Sequence, residues 1–354
     1  MANEPNRIPV ILVTGFLGSG KTTLLNALLR HPQMADTAVV VNEFGEISID
    51  HLVIESAIEN TVVLENGCIC CTVRGDLVDT LGNLKQQVAR GEVPAFSRVV
   101  IETTGLAEPA AIIQTLVTDP MLAGEFRLGL VVTTVDAQHG FGEIERFEEA
   151  VEQIAAADLL LVTKSDLVVK AALQTLTEKV TAINPAAVRR LTVQGNLDPD
   201  WFMTMVPPVD DEEETLRRWS ETLSTFEHEH RGHHEHDHGH DYDHHHFHGA
   251  ASGIETFSLE LDRPLPADIA MEWLDGLLSL RGTDILRLKG VLALEGRDGP
   301  VLIQCVQHTA YPPVALDRWP DGPGRTQLVF ITRGIDRAGI EASLRAALRA
   351  RANP

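Results

Sequence analysis

The segment at residues 15–22, Gly-Phe-Leu-Gly-Ser-Gly-Lys-Thr, has the residue types and the spacing needed to bind phosphate. It matches the pattern G-x-x-x-x-G-K-[ST], whose glycines let successive backbone N–H groups turn toward phosphate oxygens. In such a loop the lysine contacts the β- and γ-phosphates and the hydroxyl that follows it binds Mg²⁺. We therefore predict a nucleotide site built from Gly15, Gly18, Ser19, Gly20, Lys21, Thr22 and Thr23.

Two further motifs predict how the nucleotide is cleaved and which base is read. In Glu-Thr-Thr-Gly, Glu102 can hold Mg²⁺ or orient a water, and Gly105 can offer its N–H to the γ-phosphate. Segment 163–166, Thr-Lys-Ser-Asp, is similar to the Asn-Lys-x-Asp that reads guanine. Asp166 can accept the two N–H groups that adenine lacks, and the stem of Lys164 can cover the base. Thr163 stands in place of Asn, which leaves one base contact open.

Three clustered thiols at residues 68, 70 and 71 indicate metal chemistry. Thiolates bind Zn²⁺, Co²⁺ and other thiophilic ions, and a structural zinc site takes four protein ligands. The thiols present locally are Cys68, Cys70 and Cys71, and the candidates for a fourth ligand are Glu43, Glu46, His139 or a partner's side chain. The alternatives are buried small residues, a redox dithiol or a structural metal site. An incomplete ligand set favours an ion that is bound and then passed on.

Composition excludes several classes of partner. The formal net charge of the 354 residues is -22 at pH 7, which argues against nucleic acid and anionic lipid as general partners. Charged residues, Gly or Pro interrupt every apolar run before it reaches membrane-spanning length. The first residues lack the basic and apolar regions of a signal peptide, so we expect a cytoplasmic protein.

Periodicity predicts a doubly wound α/β domain at residues 1–206. Apolar runs at 8–14, 37–41, 61–64, 97–101, 128–135, 158–162 and 188–193 are typical of buried parallel strands, with helical segments between most of them. Each polar cluster described above follows one of these strands. Ligands bind outside the carboxyl ends of such strands, so we expect the clusters to converge on one crevice.

The remainder of the chain predicts a linker and a smaller domain. Residues 207–253 are acidic and then rich in histidine, with eleven of the 15 histidines between 228 and 248, and are predicted to be disordered. Residues 254–354 contain alternating strands and two helical segments typical of an α+β domain with an antiparallel sheet. Cys305 lies in a strand pattern there and is predicted to be a small core residue.

Taken together, these motifs resemble the CobW family of P-loop GTPases. The matching segments are GFLGSGKTT (15–23), VNEFGE (41–46), ENGCICC (65–71), ETTGLAEP (102–109) and TKSD (163–166). In the second domain, RLKGV (287–291), VQH (306–308), Trp319 and Phe330-Ile331 resemble the family's C-terminal domain. The resemblance covers nearly the whole chain except the acidic and His-rich linker.

The resemblance implies a GTPase that acts as a metallochaperone. It implies that the three cysteines hold the metal, most often zinc, that Lys21, Thr22 and Glu102 serve Mg²⁺ and GTP, and that hydrolysis releases the metal to a client protein. Two other functions stay open at this point: a passive metal buffer with a vestigial nucleotide site, and a P-loop kinase of small molecules with structural zinc.

Overall fold

The structure is a computed structural model that describes residues 7–42, 62–66, 73–206, 253–319 and 324–352. These residues fall into two compact units, the first within residues 1–180 and 187–209 and the second within 181–186 and 210–354. The predicted linker lies outside the described residues up to position 252, so its boundaries stay a prediction.

The described part of the first unit contains a parallel seven-stranded sheet. Its strands are β1 (Ile8–Gly15), β2 (Thr37–Asn42), β3 (Val62–Asn66), β4 (Arg98–Glu102), β5 (Phe126–Asp136), β6 (Leu159–Thr163) and β7 (Val188–Leu191). They lie in the order β3-β2-β4-β1-β5-β6-β7. The chain reverses its direction of travel across the sheet next to β1, and the carboxyl ends on either side of β1 therefore frame a crevice.

Helices connect these strands because a parallel pair needs a crossover. They are α1 (Lys21–Leu29), α2 (Val73–Ala89), α3 (Pro109–Thr118), α4 (Pro120–Glu125), α5 (Gly140–Arg146), α6 (Glu148–Ala156), α7 (Lys170–Ile183) and α8 (Pro199–Thr204). The central residues of β1, Val10 to Val13, are fully buried, as expected for a strand covered on both faces. One core cluster packs β1 side chains such as Ile11 and Val13 against Leu24 and Leu28 of α1. This packing fixes where α1 begins.

The second unit is built on an antiparallel sheet. Its strands are β8 (Ile254–Leu261), β9 (Ile285–Leu292), β10 (Val301–Val306), β11 (Thr309–Ala310), β12 (Val314–Ala315) and β13 (Thr326–Arg333), with helices α9 (Ala267–Arg281) and α10 (Arg337–Ala352). Phe257 and Phe330 stack in its core with ring centroids 5.4 Å apart. Cys305 is buried in the same core, and burial raises the pKa of its thiol to about 12.

The predicted fold class is confirmed, with two differences in detail. Every strand predicted in the first domain is present, although β5 begins at Phe126 and β7 ends at Leu191, so the predicted bounds are off by two residues there. The short helix α4 and the two-residue strands β11 and β12 were not predicted, because segments this short carry no periodic signal. None of the helices in the described part of the chain has the length and apolar composition to cross a membrane.

Candidate nucleotide-binding site

The loop between β1 and α1 has a backbone that its glycines make possible. Gly15, Gly18 and Gly20 have φ angles of 141°, 70° and 96°, in the region that glycine adopts without strain. A Cβ atom on Gly15 would lie 2.3 Å from the hydroxyl oxygen of Thr134 on β5. The loop therefore packs directly on the neighbouring strand, and its last glycine turns the chain into α1.

Side chains of the loop hold it in this shape. Lys21 is buried, and its ammonium donates to the carbonyl oxygens of Gly15 at 2.8 Å and Phe16 at 3.1 Å. The hydroxyl groups of Ser19 and Thr134 hydrogen bond at 2.6 Å. The lysine charge consequently lies within the loop that is predicted to surround the phosphates. Thr23, the last residue of the predicted nucleotide site in this segment, is exposed in the first turn of α1.

Thr22 and Glu102 meet at the carboxyl ends of β1 and β4. The Thr22 hydroxyl donates to Glu102 Oε1 at 2.7 Å, and the glutamate is only 4% exposed. The hydroxyl of Thr103 donates to that of Thr14 at 2.9 Å, which fixes the end of β4 against β1. Hydroxyl and carboxylate oxygens are ligands that Mg²⁺ prefers, so the residues present fit this ion.

The segment that follows Glu102 lies against the phosphate loop. A Cβ atom on Gly105 would lie 2.6 Å from both the N and the Cα of Leu17, so a glycine is required for this approach. The amide of Gln153, on α6, donates to the carbonyl oxygens of Gly105 and Ala107, each at 3.1 Å. The structure thereby brings the predicted phosphate-sensing glycine next to the loop it should serve.

The predicted guanine motif also reaches the phosphate loop. The Thr163 hydroxyl donates to the carbonyl oxygen of Ser19 at 2.7 Å. Lys164 has a left-handed backbone with φ 53°, and its ammonium donates to Gly18 O at 2.8 Å and to Asp136 Oδ2 at 2.7 Å. The threonine at position 163 therefore contacts the loop backbone. Asp166 is exposed in the short 3-10 helix Ser165–Leu167.

Asp136, at the end of β5, is a buried carboxylate that contacts both Lys164 and His139. Burial would raise the pKa of its carboxyl, but hydrogen bonds from Lys164, the Gln138 N–H and His139, together with the lysine charge, hold the pKa below its ordinary value. The His139 Nδ1 lies 3.1 Å from Asp136 Oδ2. Burial and the charge of Asp136 raise the pKa of Glu143, against the opposing charges of His139, Lys164 and Lys21.

The predicted metal ligands can be placed only in part. The three cysteines, Glu43 and Glu46 lie outside the described residues. His139, a candidate for the fourth ligand, is described and contacts Asp136. Within the part of the chain that the structure describes, no group of three or more His, Cys, Asp or Glu side chains is arranged to hold a metal. The cysteine site stays a prediction.

Sequence reasoning missed the roles of two residues in this crevice. Gln153 carries no motif signal because it is one polar residue within an amphipathic helix. Gly195 follows β7 with φ 72°, and a Cβ atom there would lie 2.6 Å from the carbonyl oxygen of Thr23. A glycine directly after a predicted strand is the signal that could have marked this second loop.

Comparisons with known proteins agree with this architecture. Residues 9–189 match the family described as "CobW/HypB/UreG, nucleotide-binding domain", and residues 254–348 match the "Cobalamin synthesis protein cobW C-terminal domain". The chain therefore belongs to the CobW/HypB/UreG family of P-loop GTPases, and the predictions of family and GTPase activity are confirmed.

The relatives match between about half and nearly all of the chain. It is 32% identical over 339 residues to the zinc chaperone YjiA of Escherichia coli, covering 96% of this chain and 98% of the relative. It is 34% identical to the zinc-regulated GTPase metalloprotein activator 1 of Schizosaccharomyces pombe over 54% of this chain and 47% of that protein. The crystal structure of Zn(II)-bound YjiA GTPase from E. coli is similar with a TM-score of 0.67 and 26% identity, covering 96% of this chain and 99% of that one.

Proposed function

We propose that this protein is a GTP-dependent metallochaperone that binds a transition metal, with zinc as the first candidate, and transfers it to a client protein when GTP is hydrolysed. The observation that carries the proposal is the convergence of Lys21, Thr22 and Glu102 at one edge of the sheet, with Thr22 and Glu102 joined at 2.7 Å. Relatives named zinc chaperone and zinc-regulated GTPase support the choice of metal.

The proposed hydrolysis uses the phosphate loop and the end of β4. Backbone N–H groups of the loop and the Lys21 ammonium would bind the β- and γ-phosphates, and Thr22 and Glu102 would hold Mg²⁺. The ion, when bound, neutralises charge on the phosphate oxygens. A water oxygen then forms a bond to the γ-phosphorus, the bond from that phosphorus to the β–γ bridging oxygen breaks, and the water proton ends on phosphate. The products are GDP and inorganic phosphate.

Guanine selection is proposed for the segment after β6. Asp166 is exposed, so its carboxylate can accept the guanine N1–H and 2-amino groups. Lys164 is held by Gly18 O and Asp136, which orients its aliphatic stem. Adenine lacks both donors and would leave the carboxylate without partners, which is the physical basis of discrimination.

Strand order supports coupling between the nucleotide and the proposed metal site. Cys68 follows the end of β3 at Asn66 by two residues. In the sheet, Glu65 of β3 pairs with Val41 of β2, which pairs with Glu102 of β4. Two strand spacings separate Glu65 from Glu102, or roughly 10 Å. The described end of β3, which precedes Cys68 in the sequence by two residues, therefore lies near the proposed γ-phosphate end of the site, and this supports the proposal that nucleotide state alters metal affinity.

Linkage requires this coupling to be reciprocal: if GTP tightens metal binding, the metal must tighten GTP binding by the same factor. A cytoplasmic location and a client metalloprotein belong to the same proposal. The test is a competition titration of Zn²⁺ and Co²⁺ against a chelating dye, with Mg²⁺ and a non-hydrolysable GTP analogue, and again with Mg²⁺ and GDP. We expect metal affinity at least about tenfold higher with the analogue, since allosteric couplings are typically 5–150-fold.

A matched pair of cysteine variants controls this experiment. Cys70→Ser should abolish tight metal binding and leave GDP affinity unchanged, whereas Cys305→Ala, which removes the buried thiol of the second unit, should leave metal affinity unchanged. Metal affinity that is the same with analogue and GDP would contradict the chaperone and favour the passive buffer. Loss of metal and nucleotide binding together in Cys70→Ser would refute two separate sites.

A further inference from the structure

Helix α6 touches both of the segments that are proposed to face the γ-phosphate. Its N-cap residue Phe147 packs on Phe16 of the phosphate loop, with ring centroids 4.7 Å apart. Six residues further on, Gln153 donates to the carbonyl oxygens of Gly105 and Ala107 in the segment after β4. One rigid element therefore bridges two loops that are separated by about ninety residues in the chain.

The orientation of the Gln153 amide follows from its neighbours. Two carbonyl oxygens lie 3.1 Å from its Nε2, and a carbonyl oxygen can only accept, so the NH₂ end must face them. The other end, Oε1, is buried with no hydrogen-bond partner among the described residues. The two donated hydrogen bonds therefore fix which way the Gln153 amide faces.

The backbone of Gln153 is held as firmly as its side chain. The hydroxyl of Thr133, on β5, donates to the Gln153 carbonyl oxygen at 2.7 Å, and Gln153 is 1% exposed. The strand that anchors this residue is also the strand on which Gly15 packs. Gln153 thus connects the Gly105 segment to the same sheet that positions the phosphate loop.

We propose that Gln153 is a positioning residue for recognition of the γ-phosphate. By holding Gly105 O and Ala107 O, its amide fixes the Gly105–Leu106 and Ala107–Glu108 peptides. This orders the turn, closed by the Ala107 N–H on Thr104 O, that carries the Gly105 N–H proposed to meet the γ-phosphate. This inference rests on the proposed function and adds a residue to it. It predicts that Gln153 increases the affinity for GTP relative to GDP, because GDP lacks the γ-phosphate that the Gly105 N–H would contact.

The experiment compares affinities for a non-hydrolysable GTP analogue and for GDP, both with Mg²⁺, by fluorescence titration of the full chain. Gln153→Met keeps the side-chain volume and removes both donors together with the unpaired acceptor, so it should fold. Gln153→Asn keeps the amide but is one methylene too short to reach. We expect about tenfold weaker analogue binding in both variants, from the lost order of the Gly105 segment, and GDP affinity within about twofold of wild type.

The control is Thr115→Val, which removes a buried hydroxyl that donates to Ala111 O within α3. It should bind both nucleotides as the wild type does. Hydrogen exchange of the Ala107 amide, which donates to Thr104 O, should accelerate in Gln153→Met with the analogue bound.

Equal losses for the analogue and GDP in both Gln153 variants, or no loss for either, would overturn this inference alone. A wild-type protein that binds neither nucleotide would overturn the proposed function, and the inference with it.

Discussion

Replacing Lys164 by methionine tests whether the ammonium that joins β5, β6 and the phosphate loop organises the base side of the site. Methionine has a similar length and leaves the left-handed backbone at this position as it is, since lysine already adopts it with φ 53°. The change removes the donor to Gly18 O and the partner of the buried Asp136 carboxylate. Two segments lose a shared contact, so both stability and nucleotide affinity should fall.

The magnitude follows from burial on the two sides of the pair. A hydrogen bond to a charged group contributes about 1.5–3 kcal/mol. The Asp136 side chain is 3% exposed but that of Lys164 is 34% exposed, so solvent screens the pair and the lower end applies. We expect Lys164→Met to lower the free energy of unfolding by about 2 kcal/mol and to weaken GDP and GTP about tenfold each.

A double-mutant cycle with Asp136→Asn isolates the pair. Urea unfolding of wild type, both single variants and the double variant at pH 7.5 should give a coupling energy of about 1–2 kcal/mol. Because the folded pKa of Asp136 is lowered, its contribution is fully present above the unfolded value of about 3.9 and is lost as pH falls through the folded pKa. A coupling energy near zero at pH 7.5, or one that does not begin to fall as the pH is lowered below the unfolded value of about 3.9, would refute this reasoning.

The remaining predictions concern hydrolysis and thiol reactivity. Glu102→Gln should slow Mg²⁺-dependent phosphate release by about 10²-fold, because the carboxylate beside Thr22 loses its charge, while GDP binding without Mg²⁺ stays unchanged. Gly105→Ala should slow GTP hydrolysis at least tenfold with little effect on GDP affinity, because its Cβ would lie 2.6 Å from the backbone of Leu17. At pH 8, metal-free native protein should be alkylated at the three clustered cysteines and protected there by Zn²⁺. Cys305, whose pKa is raised to about 12, should react only after denaturation, and mass spectrometry of the peptides would reveal any exception.

Local sequence determined the elements and the main chemistry of the first unit. Apolar runs typical of strands buried on both faces predict parallel strands. The glycine spacing predicts the backbone of the phosphate loop, because the positive φ angles at positions 15, 18 and 20 are ones that glycine adopts without strain. Lys21, Thr22 and Glu102 are predictable from the sequence alone, because each follows a strand in a motif of fixed spacing. These signals are local, and they were sufficient for family and fold class.

Tertiary structure decided which residues support those motifs. Gln153, Asp136 and Thr134 lie far along the chain from the loops they hold, and contacts between distant segments leave no periodic trace in a single sequence. Only the sheet order places β5 beside β1 and aims its polar side chains at the phosphate loop. The sequence by itself thus determined the family and predicts which ligands the site suits, since ligand chemistry resides in residue types. Packing of parallel strands determined how the binding residues are held, since their partners come from other strands and helices.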